Sequence, residues 1–155
     1  MAVHPREFRG EAAAEVPAAL EDCYRLLAAV DRYPDWCPDV IRGVEILDRG
    51  AGGQPTRVRM TIHIARGALQ REFGLFLAVD VESPRLVRLT RFTDHATNQE
   101  FNATWQLRPA HSTRMSLQLD AKLRVPWYIR ARGAADAIAN GFVDAACTAL
   151  AATPP

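Results

Sequence analysis

Apolar and polar residues alternate with a period of two through most of this chain, and only its last stretch changes to a helical period. Phe8, Gly10, Ala12, Ala14 and Val16 alternate with Arg9, Glu11 and Glu15, which predicts a half-buried strand. Val58, Met60, Ile62 and Ile64 alternate with Arg57, Arg59, Thr61 and His63 and give the cleanest strand pattern in the sequence. Phe73, Leu75, Leu77, Val79 and Val81 follow the Arg66-Gly67 turn, and Ser83-Pro84 ends that run. Val87, Leu89 and Arg91, then Phe101, Ala103, Trp105 and Leu107, then Met115, Leu117, Leu119, Ala121 and Leu123 supply three more strands. Residues 40–47 are also strand-like, and the glycine-rich residues 49–55 make a hairpin with the strand after them. Short turns between successive strands imply antiparallel neighbours.

Three segments depart from that period. Pro17 suits a first helical turn, and Leu20, Tyr24, Leu27 and Val30 recur at helical spacing behind Glu21 and Asp22, so residues 18–29 are predicted to be a helix. Pro34 and Pro38 bracket a compact segment, 33–39, that has room for a short helical turn only. Residues 127–152 form the long closing helix, with Ala131, Ala134, Ile138, Phe142, Ala145 and Ala149 as the stripe expected to lie on the sheet. A stripe of mostly small residues over a wide apolar face is expected to leave a hollow, and hollows of that kind hold small hydrophobic ligands. The element order describes an α+β domain spanning 1–155: a curved antiparallel sheet of about seven strands wrapped around a long C-terminal helix, with two short helices after the first strand. Residues 153–155 are expected to fray.

Composition narrows the function classes. With 155 residues, 48% of them hydrophobic, the chain has enough core for one domain. A formal net charge of +1 provides no field to attract nucleic acid or an acidic membrane. Cys23, Cys37 and Cys147 are odd in number and lack ligand spacing, which argues against a disulfide framework or structural zinc and for a reduced, cytoplasmic setting. No stretch reaches the ~18 uninterrupted apolar residues of a membrane span, and no apolar leader is present, so stable membrane insertion is not expected. There is no glycine-rich phosphate cradle, and no metal or other cofactor is implied. His4, His63, His95 and His111 fall on the N-terminus, an outer strand face and two turns, without a metal-ligand partner. A monomer and a homodimer both fit the sequence.

Val16-Pro17-Ala18 opening a helix, the stretch Val30-Asp31-Arg32-Tyr33-Pro34-Asp35-Trp36-Cys37-Pro38, and Val44-Glu45-Ile46-Leu47 resemble the opening of the START-like (SRPBCC) superfamily. Ala139-Asn140-Gly141-Phe142-Val143-Asp144-Ala145-Ala146 resembles its terminal helix, and the likeness in element order runs through nearly the whole chain. The Tyr-Pro-Asp-Trp stretch is most similar to the coenzyme Q-binding and polyketide cyclase/dehydrase branches. The resemblance implies a helix-grip fold with an internal cavity, in a superfamily that also includes lipid-transfer domains and plant hormone receptors. Fold alone therefore does not settle function.

Candidate chemistry lies on the inward positions. Arg91 shares strand parity with Val87 and Leu89; a guanidinium there either meets a ligand carboxylate, enolate or quinone oxygen, or reaches water from a strand end. The resemblance adds that aromatase/cyclases of this superfamily use a cavity arginine. Trp36 could stack on a planar ligand at a cavity mouth or plug the small helices onto the sheet. Trp105 has core parity and carries one N–H donor. Met60, Phe73, Leu75, Leu89, Met115, Ile138 and Phe142 are the remaining expected wall residues, each also accounted for by plain core packing. Cys37 lacks an activating histidine and reads as a small buried residue.

Glu72, Asp80, Glu100 and Asp120 all fall on the opposite parity, leaving the inner face short of acid/base groups. That shortage favours a binder or carrier of a small hydrophobic molecule such as a lipid, quinone or polyketide. The alternative is a polyketide aromatase/cyclase that works by folding its substrate, with Arg91 stabilising an enolate. A third reading is a partner-binding module using the outer sheet face around Phe76 and Phe92.

Overall fold

The period-two runs become one continuous sheet. A computed structural model describes residues 5–66, 69–92, 100–124 and 134–152. Its elements are β1 (Pro5–Val16), α1 (Leu20–Ala28), a 3-10 turn (Val30–Arg32), α2 (Tyr33–Trp36), β2 (Ile41–Arg49), β3 (Pro55–Arg66), β4 (Leu69–Glu82), β5 (Leu86–Arg91), β6 (Glu100–Pro109), β7 (Thr113–Arg124) and α3 (Ala134–Ala152). The strands lie in the order β1-β7-β6-β5-β4-β3-β2, each antiparallel to its neighbour. This is the helix-grip architecture expected from the sequence.

Register explains why the alternation is so regular. Val81, Val87, Trp105, Leu117 and Ala12 stand opposite one another across five strands, and Val79, Leu89, Ala103, Leu119 and Gly10 make the next such line. A slip by one residue in any strand would turn its whole apolar set outward, so burial of this face fixes the pairing. β2 is less regular: shifts at Ile41/Gly43 and Ile46/Asp48 leave Leu47 unpaired and exposed at the sheet edge.

α1 lies across β5, β6 and β7 and buries Cys23 and Leu27. Thr113 Oγ1 donates to Ala18 O at 2.7 Å, which ties the start of β7 to the turn that launches α1. Tyr33 and Trp36 follow in α2, where Pro34 sits in the first turn and the helix stops at Cys37.

α3 corrects one expectation. It lies mainly on β1 and β7, and its fully buried line is Ala135, Ala139, Val143 and Ala146, rotated by one residue, about 100°, from the stripe of Ala134, Ile138, Phe142, Ala145 and Ala149. Ala131 lies outside the described residues. The helix is apolar over most of its circumference, so periodicity alone does not select the face that goes down. The buried alanines serve close approach: a Cβ at Gly10 would collide with the carbonyl group of Ala135 and the amide of Asp136. Asp136 Oδ1 also accepts from the Glu11 amide at 3.0 Å, satisfying a backbone donor of edge strand β1.

Candidate functional site

With α3 seated on β1 and β7, its Ile138 and Phe142 flank is left half-buried beside the rest of the concave face. Phe142 sits edge-on to Trp105 of β6, with ring centroids 6.3 Å apart, and edge-on to Trp36 of α2 at 6.2 Å. Trp36 in turn meets Tyr33 at 4.9 Å. These four rings link terminal helix, sheet and α2 in one aromatic cluster.

The cluster treats its two indoles differently. The Trp105 indole hydrogen-bonds the Tyr33 hydroxyl, and that hydroxyl donates to Leu27 O at 2.6 Å, so every polar atom of this relay is used. Burial raises the Tyr33 phenol above its usual range, the Trp105 bond opposing that shift and Cys37 adding to it. Trp36 Nε1 is also enclosed, yet meets no hydrogen-bond partner among the described residues. Leaving such a donor unpaired costs about 1–3 kcal/mol. Tyr33 was not among the residues singled out from sequence, because nothing in a proline-bracketed turn reveals which way its phenol points. Trp105 takes the core position that its strand parity gives it, with its N–H directed to Tyr33.

Along β5, β6 and β7 the inner-face exposure rises in one direction, whereas along β4 it falls, from the half-buried Val81 to Val79 at 6% and Leu77 at 0%. Val87, Trp105 and Leu117 are at most 2% exposed; one line further on, Leu89, Ala103 and Leu119 are 3–5% exposed. Beyond them Arg91, Phe101, Ala121 and Phe8 are half-buried. The tightly packed end is the one that α1 covers; the looser end is where β5 finishes and β6 begins. Arg91 stands opposite Leu77, and so on the inner face at that looser end, where it is held by an interaction within the protein.

The other expected wall residues divide in two. Met60, Leu75, Leu89 and Met115 are buried core residues, Met60 directly opposite Leu75. Phe73 pairs with Ile62 through its backbone, and its side chain lies outside the described residues. Glu72 and Asp80 are exposed and Asp120 pairs with Arg9 at 3.5 Å on the outer face, while the side chain of Glu100 lies outside the described residues. Cys37 is buried, and burial pushes its thiol from 9.0 up to about 11, against the pull of its backbone bond to Val40. Among the described residues no cluster of His, Cys, Asp or Glu could hold a metal ion, and no helix is long and apolar enough to cross a membrane.

Two features lie apart from this face. Phe76, 45% exposed, packs edge-on to Phe92 at 6.1 Å on the outer sheet face, with the Arg57 guanidinium 4.9 Å from the Phe92 centroid and that of Arg59 6.0 Å from the Phe76 centroid. Cation–π contact accounts for these aromatics without a partner. An open groove of about 580 Å³ runs between α1 and the two turns at Gly53–Pro55 and Ser83–Pro84, lined by Tyr24, Arg25, Arg49 and Pro84 among others. Its walls mix both charges and it does not reach the aromatic cluster.

The family model described as polyketide cyclase / dehydrase and lipid transport matches residues 16–145. Against curated proteins the sequence finds no match. Among solved structures the chain is similar to a START superfamily protein from Mycobacterium smegmatis, with a TM-score of 0.73 and 20% identity over 92% of this chain and 97% of that one. It is similar also to StfQ, a di-domain ARO/CYC from the steffimycin biosynthetic pathway, with a TM-score of 0.69 and 12% identity, covering 94% of this chain and 51% of that one. Major latex-like protein 151 from Panax ginseng gives a TM-score of 0.68 at 8% identity, covering 96% and 99%. At these identities the structures share a fold with this chain.

Proposed function

The chain belongs to the polyketide cyclase/dehydrase and lipid transport family, and from that premise we propose that it binds a small hydrophobic molecule between α3 and the concave face of its sheet. Lipids, quinones and polyketides fit that chemistry, and the protein acts as a carrier or sequestering agent. The flank of α3 carries this reading: Ile138 and Phe142 are half-buried beside an apolar concave face, where the fully buried Ala139 and Val143 are what holds the helix to the sheet. Apolar walls, the half-buried Ile138 and Phe142, and the outward aspect of Glu72, Asp80 and Asp120 agree with binding rather than acid/base chemistry. The setting is the cytoplasm, in keeping with three free thiols.

Organic extraction of the purified native protein, followed by mass spectrometry, is expected to release a hydrophobic small molecule, and the emptied protein should take up a displaceable apolar probe. Absence of both overturns the proposal.

Arg91 favours a second reading, as a polyketide cyclase. A guanidinium on the inner face suits an enolate oxygen, and holding a flexible chain in one reactive conformer supplies rate by orientation. StfQ, named as an ARO/CYC, has this fold. With a poly-β-ketone substrate, Arg91→Ala should change the distribution of cyclised products; an unchanged distribution removes this reading and leaves the carrier.

A further inference from the structure

The interior aromatic cluster holds one polar group that the fold does not use. Trp105 and Tyr33 satisfy each other and Leu27 O, whereas Trp36 Nε1 on the far side of Phe142 is enclosed without an acceptor among the described residues. Buried donors are nearly always paired, and a phenylalanine would fill an apolar wall without this penalty. We propose that Trp36 selects the ligand by its polarity: its N–H donates to an oxygen acceptor, so the ligand is a flat apolar molecule bearing a neutral carbonyl-type oxygen rather than a plain hydrocarbon. This rests on the reading that the ligand lies between α3 and the sheet.

The surroundings of Trp36 supply both freedom and selectivity. Its nitrogen is covered, so an acceptor reaches it only when the indole swings. Trp36 ends a four-residue helix, is followed by Cys37 with φ −137 and ψ 54, and is itself only half-buried against the half-buried Phe142. Rotation there disturbs no sheet pairing. The ring faces of Trp36 and Phe142 accept a planar body, and a single neutral donor matches one neutral acceptor, where a buried carboxylate would demand further donors or a countercharge.

The test uses two compounds of nearly the same shape, 2,3-dimethyl-1,4-naphthoquinone and 1,2,3,4-tetramethylnaphthalene, titrated into wild type and Trp36→Phe. The variant is expected to lose about tenfold in affinity for the quinone and to keep its affinity for the hydrocarbon within about twofold. In the wild type, of the three indole N–H signals in a nitrogen-15 correlation spectrum, the one missing from Trp36→Phe should move downfield with the quinone and not with the hydrocarbon. Equal losses for both compounds, no loss for either, or a quinone-dependent shift confined to another indole overturns the inference while leaving the site. Failure of both compounds to bind wild type overturns the site and the inference with it, and binding of the hydrocarbon without the quinone overturns the inference alone. If the variant does not fold, the Trp36 signal is assigned in the wild type from its Overhauser contacts to the Tyr33 and Phe142 rings, and the two titrations are read on that signal.

Discussion

At the scale of single residues, hydrogen-bond satisfaction separates structure from function in this interior. Tyr33 joins Trp105 to Leu27 O, so Tyr33→Phe removes one hydroxyl and orphans two buried groups. Its expected cost is about 1–3 kcal/mol, read from urea unfolding midpoints. The same burial gives the protein an alkaline limit. Tyr33 and Cys37 both hold their protons more tightly folded than unfolded, Cys37 up to about 11 from 9.0. Groups of that kind stabilise fully below their unfolded values, and the stability is lost as pH rises through the folded ones. Unfolding free energy should therefore be level near neutrality with respect to these groups and fall as pH climbs past about 9; a protein more stable at pH 10 than at pH 8 contradicts this. Thiol labelling probes the same burial: native protein should react first at the half-buried Cys147, and at Cys23 and Cys37 only on denaturation. None of these partnerships was legible beforehand. Trp36, Trp105 and Phe142 could be named from parity, motif and helical spacing, but which indole is satisfied depends on a phenol delivered by a different element.

Between elements, the decisive contact is the one at Gly10. A glycine in a strand normally weakens it, and here its missing side chain lets the backbone of α3 come down onto β1. Gly10→Ala should destabilise by about 1–3 kcal/mol through overpacking, despite the better strand propensity of alanine. A thermal midpoint equal to or above wild type would show that α3 does not sit as described. The strands were readable because burial of one face ties each residue to one side, as in β3, where Val58, Met60 and Ile62 are all buried. The orientation of α3 was not, because a helix of alanines, isoleucine, valine and phenylalanine shows little contrast around its axis. The rotation matters for the proposed function: it moves Ile138 and Phe142 from beneath the helix to its flank, where they are half-buried against the core.

At the scale of the molecule, the inner residues of β5, β6 and β7 are buried under α1 and become half-buried at Arg91, Phe101 and Ala121. The expected hollow was argued from small residues under the helix; those residues instead bring helix and strand together. The architecture was legible through alternation and element order, but the seat of α3 on the sheet was not, because it depends on the close approach at Gly10. The central claim is that a hydrophobic ligand occupies this inner region and not the charged groove beside α1. Intermolecular nuclear Overhauser effects from bound 1,4-dimethylnaphthalene test it most directly. Contacts to the methyl groups of Leu89, Ala103, Leu119 and Ile138 are the predicted result, and contacts confined to Ala28 and the other residues of the groove lined by Tyr24, Arg49 and Pro84 would contradict it.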